Sequence, residues 1–389
     1  MENGQVLSLK NYSVESHGPT CAIGDCLEVG DVAAEVVGFD QQRVFSRLLG
    51  NPYGIAPGTT VRATGKPLSV AVGPELKGQI LDGLGRPLDG SLPGGEQRPL
   101  HLAAASFLQR RRVDRLLATG VRAIDGLLAL GAGQSLALAC EPGAGKTGVL
   151  SALARNSSAH SVVLASIGEQ PHRLRDFLAR DLGTDGLARS TVVAATAESS
   201  PGERVKAAFT ALTVAEHFRD QGQDVLLLLD AVPDWWAAHR EMGLPETGLE
   251  QLLARAGVCE KGTITTILVT DLEPQNDLLG LTEGVCTLSG QIARSGRYPA
   301  VDLSRSASRL FTEVASRQHL QCAKWLRSLL MHYQENELLI ESGAYKPGFN
   351  QRVDEAIERF QDCQAFLRQD LFEAAEFQTT LEKLVQLRG

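Results

Sequence analysis

Residues 141–149 read EPGAGKTGV, which puts Gly143, Gly145, Lys146 and Thr147 within one short loop. The apolar run SLALAC (135–140) precedes it, and KTGVLSALARN, with helical spacing, follows. A strand that passes through a glycine-containing turn into a helix start aims backbone N–H groups and the positive end of the helix dipole at an anion, and phosphate is the natural guest. On this reading the loop Pro142, Gly143, Ala144, Gly145, Lys146, Thr147 and Gly148 cradles a nucleotide. Lys146 contacts the β- and γ-phosphates, and the Thr147 hydroxyl helps hold Mg²⁺. The full pattern G-x-x-x-x-G-K-[ST] asks for glycine where this chain has Cys140. That position is the strand exit, where a small side chain is accommodated.

Three further groups could complete such a site. DVLLLLD (224–230) ends a buried apolar strand on Asp230, which can hold a Mg²⁺ ligand water or cap the following helix. Glu169 directly follows the strand-like SVVLASIG (161–168), where a carboxylate can polarise an attacking water; on its own it is an ordinary loop glutamate. SRSASRLF (304–311) offers Arg305 and Arg309, each readable as an arginine finger or as solvated charge, and spacing alone favours the second.

The elements that must position these residues follow a plain order. Residues 1–95 carry short apolar runs between Gly, Pro and Asp turn signals, the mark of a small all-β barrel or sandwich, and DGSLPGGEQRP (89–99) is a connector. From about 96 to 315, strands alternate with longer helical stretches, which predicts an α/β domain with a parallel sheet covered on both faces. Expected strands are 135–140, 161–168, 191–196, 224–230 and 263–270. A helix is expected over 204–221, with Val205, Phe209, Leu212, Val214 and Phe218 near one stripe. Residues 316–389 read as helices interrupted at GAYKPGFN (343–350), and their last apolar stripe packs on its neighbours or meets a partner.

Composition sets limits. The formal net charge of −8 over 389 residues argues against a dedicated nucleic-acid binder, which needs a basic face. Seven cysteines without paired CxxC spacing point to neither a disulfide framework nor a zinc site, and so to a reducing compartment. The start lacks the basic and apolar regions of a secretory signal, and apolar runs such as VLLLL (225–229) fall far short of the ~20 residues a bilayer crossing needs.

Taken in order, AEVVGFDQQRV, PGTTVRATGKPLSVAVG, ILDGLGRPLDG, LATGVRAIDGLLALGAGQ, AFTALTVAEHFRDQGQDVLLLLD, AHREMGLP, SGQIARSGRYPAVD and SGAYKPGFNQRVDEAIERFQDCQAFLRQD resemble the type III secretion ATPases. That family is shared by injectisomes and the flagellar export apparatus and is similar to the catalytic subunit of rotary ATP synthases. The resemblance implies a RecA-like P-loop core between an N-terminal β-barrel and a C-terminal helical domain, assembled as a homohexamer. It places Lys146 and Thr147 on the phosphate-loop pair, Glu169 on the water-activating glutamate and Asp230 on the Mg²⁺-side aspartate. Arg309 falls on the arginine that reaches the neighbouring subunit's nucleotide, which lifts it above Arg305. Implied partners are chaperone–substrate complexes, stator and stalk proteins and the inner-membrane export gate, with the protein cytoplasmic and peripheral to that membrane.

Departures accompany the match. Where the family reads GERGREV this chain reads GEQPHRL, so Gln170 stands for an arginine expected to help stabilise phosphate charge. AVPDWWA (231–237) replaces SLTRFA, and the stretch after REMGLP is shorter and lacks a G-Y-P-P-S segment. They motivate a second expectation, a nucleotide-binding scaffold with weak or no hydrolysis. A rotary synthase subunit fits the C-terminal tail poorly, and a Rho-like RNA translocase fits the acidic composition poorly. Trp235 and Trp236 read as packing residues ahead of a nucleotide-stacking pair, and Tyr345 and Phe349 as lining the adenine side or packing between domains.

Overall fold

The computed structural model describes residues 3–88, 90, 95–104, 106, 110–245, 248–272 and 278–389. Period-two patterning in the first 67 residues yields six antiparallel strands: β1 (Gly4–Lys10), β2 (Ser13–His17), β3 (Asp25–Val29), β4 (Val32–Asp40), β5 (Arg43–Leu48) and β6 (Thr60–Pro67). They close in the order β1-β2-β5-β4-β3-β6, which leaves no free sheet edge. Val14, Leu27, Val36, Leu48 and Val61 are among the side chains that fill the barrel.

The stretch after the barrel belongs physically to the next layer. Strand β7 (Ser69–Val72) pairs with β9 (Glu96–Pro99), while β8 (Ile80–Asp82) joins the edge of the central sheet. The barrel therefore ends at Pro67, although the sequence groups everything up to residue 95 with it. Strands of three or four residues carry too short a period to reveal which sheet they enter.

The central sheet adds β10 (Ser135–Cys140), β11 (Ser161–Ile167), β12 (Ser190–Ala195), β13 (Asp224–Asp230), β14 (Gly257–Val258), β15 (Thr263–Asp271), β16 (Gly284–Leu288) and β17 (Val301–Ser308). Its order is β17-β16-β10-β15-β13-β11-β12-β8, with β14 alongside β15. From β8 to β16 that path is parallel; β17 runs antiparallel to β16. A parallel sheet is buried on both faces, so its strands are apolar throughout rather than alternating. In β13, Val225, Leu227 and Leu229 enter one core while Leu226 and Leu228 enter the other. The first core includes the helix Pro201–Asp220, which opens on an N-cap: Ser200 Oγ accepts from Glu203 N at 3.2 Å.

Three helices, Arg317–Glu341, Gln351–Leu367 and Phe377–Arg388, form the C-terminal layer. Buried Arg122 fastens it to the central domain: its Nη1 donates to the carbonyls of Phe366 (3.1 Å) and Arg368 (2.7 Å), and its guanidinium pairs with Glu373. Gln369 reciprocates, accepting from Arg122 N and donating to Gly120 O, both at 2.7 Å.

At the other end, Lys206 on the helix Pro201–Asp220 donates to both oxygens of Glu35 on β4, at 2.9 and 2.7 Å, with His101 Nε2 3.2 Å from the same carboxylate. Burial alone would raise the Glu35 pKa, but the hydrogen bond from His101 and the charge and hydrogen bonds of Lys206 override it and hold the carboxyl down at about 2. A depressed carboxyl pKa contributes stability above its unfolded value, near 4.5, and that contribution disappears as pH falls toward 2. Unfolding midpoints in denaturant are therefore expected to drop more steeply over that window in the wild type than in Glu35→Gln; parallel curves would show that the pair does not secure the barrel.

Candidate active site at the ends of the parallel strands

Four neighbouring parallel strands, β10, β15, β13 and β11, end side by side, and the register aligns Cys140 with Asp271 and Ser166 with Asp230. Carboxyl ends of strands in an open α/β sheet are where such folds bind ligands. Here they floor a cavity of about 730 Å³, lined by Gly143, Gly145, Lys146, Thr147, Glu169 and Asp230 among others.

The loop between β10 and the helix Lys146–Asn156 makes its turn on two left-handed residues, Gly143 (φ 74°) and Gly145 (φ 86°), a conformation that L side chains rarely adopt. Pro142 also faces the cavity, whereas Ala144 is buried beneath the loop and Gly148 packs toward Leu371. Cys140 lies under the turn with its Sγ 3.6 Å from Leu138 O, and burial pushes its thiol up to about 12. It is a neutral, small filler of the strand exit, which answers the question raised by the missing glycine.

Lys146 Nζ donates to Asp230 Oδ1 at 2.8 Å and lies 3.8 Å from Glu169 Oε2. Burial alone would lower the lysine's pKa; the charge and hydrogen bond of Asp230, with Glu169 behind it, raise it instead. Burial pushes the Asp230 carboxyl up, with Lys146 opposing and Glu169 adding to the rise. Glu169 Oε1 accepts from Gln170 N at 3.0 Å and lies 3.8 Å from Arg173 Nη1. Among the described residues seven carboxylates and two cations line the cavity, so a bare polyphosphate would meet repulsion that a divalent cation travelling with it relieves.

Among the described residues no three His, Cys, Asp or Glu side chains form a metal cage. The donors present suit magnesium, which typically takes one or two protein oxygens and completes its shell from phosphates and water. Thr147 and Asp230, which both line the cavity, could hold it.

Arg309 lies elsewhere. Leu288, paired with Val301, is level with Cys140, and Ser308 pairs with Gly284. The end of β17 therefore sits roughly 13 Å back along the sheet from the phosphate loop. Arg309 is exposed there and is not among the described residues that line its own chain's cavity; its backbone N donates to Glu283 O at 2.8 Å. Arg305 is the nearer arginine: an irregular bulge in β17 brings its Nη1 to 3.6 Å from Glu141 Oε1.

Of the replaced segment, Trp235 and Trp236 are core residues, Trp235 Nε1 donating to Val205 O at 2.9 Å. Tyr345 and Phe349 do not line the cavity; Tyr345 Oη donates to Asp354 at 2.9 Å, and Phe349 is exposed at the break between helices. An aromatic ring does stand beside the loop, at Tyr298, 3.2 Å from where a Cβ on Gly145 would be. Reading by motif also passed over Glu141, whose Oε2 accepts from Gly290 N at 2.6 Å, and Asp234, which burial pushes up in pKa. Asp234 lies in the first turn of the helix Val232–Glu241, which follows the strand that ends on Asp230.

A family model described as the ATP synthase alpha/beta family, nucleotide-binding domain, matches residues 120–308, and one described as the T3SS EscN ATPase C-terminal domain matches 315–386. A type 3 secretion system ATPase of Pseudomonas syringae pv. syringae is 37% identical over 418 aligned positions, which cover 99% of this chain and 93% of that protein. The chain belongs to the type III secretion and flagellar export ATPase family. Another relative in this export ATPase family, the flagellum-specific ATP synthase of Bacillus subtilis, is 38% identical over 421 positions, covering 99% of this chain and 95% of that protein. The assembled ATPase EscN of enteropathogenic E. coli superposes with a TM-score of 0.90 at 31% identity, over 99% of this chain and 100% of that one. The same export ATPase in complex with its central stalk EscO gives 0.94, also at 31% identity and with the same coverage. The RecA-like core with barrel and helical flanks, expected from the sequence, is thus borne out.

Proposed function

We propose that this chain hydrolyses Mg-ATP as a homohexamer with its sites between subunits, at the cytoplasmic face of a bacterial inner membrane, and couples turnover to chaperone release and protein export. The observation that carries the reading is the convergence of Lys146, Glu169 and Asp230 within hydrogen-bond or ion-pair reach in one cavity behind a phosphate loop. When ATP enters, its phosphates displace the Asp230 carboxylate from Lys146, and the loop N–H groups from Gly143 to Gly148 hold the β-phosphate side. The exposed ring of Tyr298 offers the base a flat apolar face. Magnesium bound with the nucleotide would neutralise phosphate charge.

Glu169 is held by Gln170 N with its other oxygen toward Lys146, the position from which it takes a proton from the attacking water. Arg309 of one subunit faces the nucleotide of the next. Its exposed place away from its own cavity supports that assignment, as does the assembled state in which EscN was solved. The C-terminal layer meets chaperone–substrate complexes and the export gate, and stalk and stator proteins meet the ring; the EscN–EscO complex supports the stalk. The clasp of Arg122, Gln369 and Glu373 links that layer to the nucleotide domain.

The test is Mg-ATP turnover per subunit against protein concentration. Turnover is expected to climb steeply over the range in which light scattering detects assembly. A constant rate per subunit in a proven monomer would sink the shared-site reading.

A further inference from the structure

The open chemical question is which cation faces the transferred phosphoryl group beside Lys146. The chain has Gln170, not a cation, directly after Glu169, and Gln170 does not line the cavity. The helix Pro171–Asp176 begins there and carries three basic side chains, His172, Arg173 and Arg175. Arg173 alone of these lines the phosphate cavity; Arg175 lines a separate, largely apolar cavity on the other side of the helix, and Leu174 borders both. Arg173 Nη1 is 3.8 Å from Glu169 Oε1, while Lys146 Nζ is 3.8 Å from Glu169 Oε2. The glutamate therefore sits between two cations, one on each oxygen. Among the described residues its outer partner is held by this one long contact and is 70% exposed, free to turn inward.

We propose that Arg173 is a catalytic residue that supplies the second protein cation to the γ-phosphoryl group in the transition state, in the role Gln170 cannot fill. This rests on the hydrolytic function proposed above. In the step it serves, the water oxygen bonds to the γ-phosphorus and passes a proton to Glu169. The bond from γ-phosphorus to the bridging oxygen breaks, and ADP leaves with the electron pair. Negative charge shifts outward onto the phosphoryl and bridging oxygens, and a guanidinium can fork between the glutamate and one of those oxygens. Lysine carries the charge as a compact point and lacks that planar fork, so it should replace the guanidinium only in part.

The experiment compares wild type with Arg173→Ala, Arg173→Lys, Arg173→Ala/Gln170→Arg and the control Arg175→Ala, on the full chain. It reads kcat with saturating Mg-ATP and, by equilibrium dialysis, affinity for Mg-ADP with and without aluminium fluoride, which mimics the planar phosphoryl group. Arg173→Ala is expected to lower kcat by roughly a hundredfold and to remove a similar factor from the tightening caused by fluoroaluminate, with Mg-ADP affinity nearly unchanged. Arg173→Lys should recover part of the loss, Gln170→Arg part of it in the alanine background, and Arg175→Ala should match wild type. Unchanged fluoroaluminate tightening in Arg173→Ala would overturn the proposal, as would equal losses for Mg-ADP with and without fluoroaluminate. A wild type that neither turns over nor tightens on fluoroaluminate would instead remove the hydrolytic reading itself.

Discussion

Replacing Glu169 with glutamine is expected to cut Mg-ATP turnover by roughly 10²–10⁴-fold, the usual contribution of a positioned general base, while ATP still binds. Glutamine keeps the carboxylate's shape and can still accept from Gln170 N, so the loop geometry persists. What disappears is the group proposed to accept the water's proton. One negative charge also leaves a cavity in which carboxylates outnumber cations, and Glu169 is among the charges that push up the Asp230 carboxyl. Nucleotide affinity should therefore hold or rise slightly. Single-turnover hydrolysis and equilibrium binding on the same preparation separate the two effects: equal turnover in variant and wild type would remove Glu169 from catalysis.

Arg309→Ala should be at least as damaging, on the order of 10³-fold or more in kcat, the scale seen when a trans-acting arginine is lost from a phosphoryl-transfer site. The side chain is exposed and its backbone hydrogen bond to Glu283 survives the change, so thermal stability of the subunit should stay close to wild type. That pairing of a large kinetic loss with an intact fold distinguishes a finger from a structural residue. Assembly measured alongside should be preserved. Wild-type turnover in an assembled Arg309→Ala ring would remove the residue from the site and return attention to Arg305, which already contacts Glu141 of its own loop.

Much of this was legible in the sequence for physical reasons that can be named. Lys146 and Thr147 announce themselves because a phosphate loop is local, and strand, turn and helix start are all read from a dozen residues. Asp230 and Glu169 are far apart in sequence, yet each closes an unbroken apolar run, and parallel strands packed on both faces must end on the same side. Their meeting at Lys146 follows from the fold class. Arg173 and Asp234 were not visible because they sit four residues beyond such an end, inside a first helical turn, where nothing but the direction of the helix decides which side chain turns inward. Tyr298 lies in the irregular connection between β16 and β17, which no periodicity describes. The barrel limit at Pro67 was hidden because β7 and β8 are too short to reveal which sheet they join.

The reversed direction of β17 also has a genetic meaning. In the proposed head-to-tail ring each site would take its phosphate loop from one chain and its arginine from the end of that strand in the next. An allele lacking Lys146 and an allele lacking Arg309 are thus damaged in opposite halves of a shared unit. Mixed in one ring, the Arg309-deficient chain still offers an intact loop and the Lys146-deficient chain an intact arginine. Two alleles, each silent alone, would complement where those halves meet, whereas two lesions on the loop side, such as Lys146 with Glu169, would never do so.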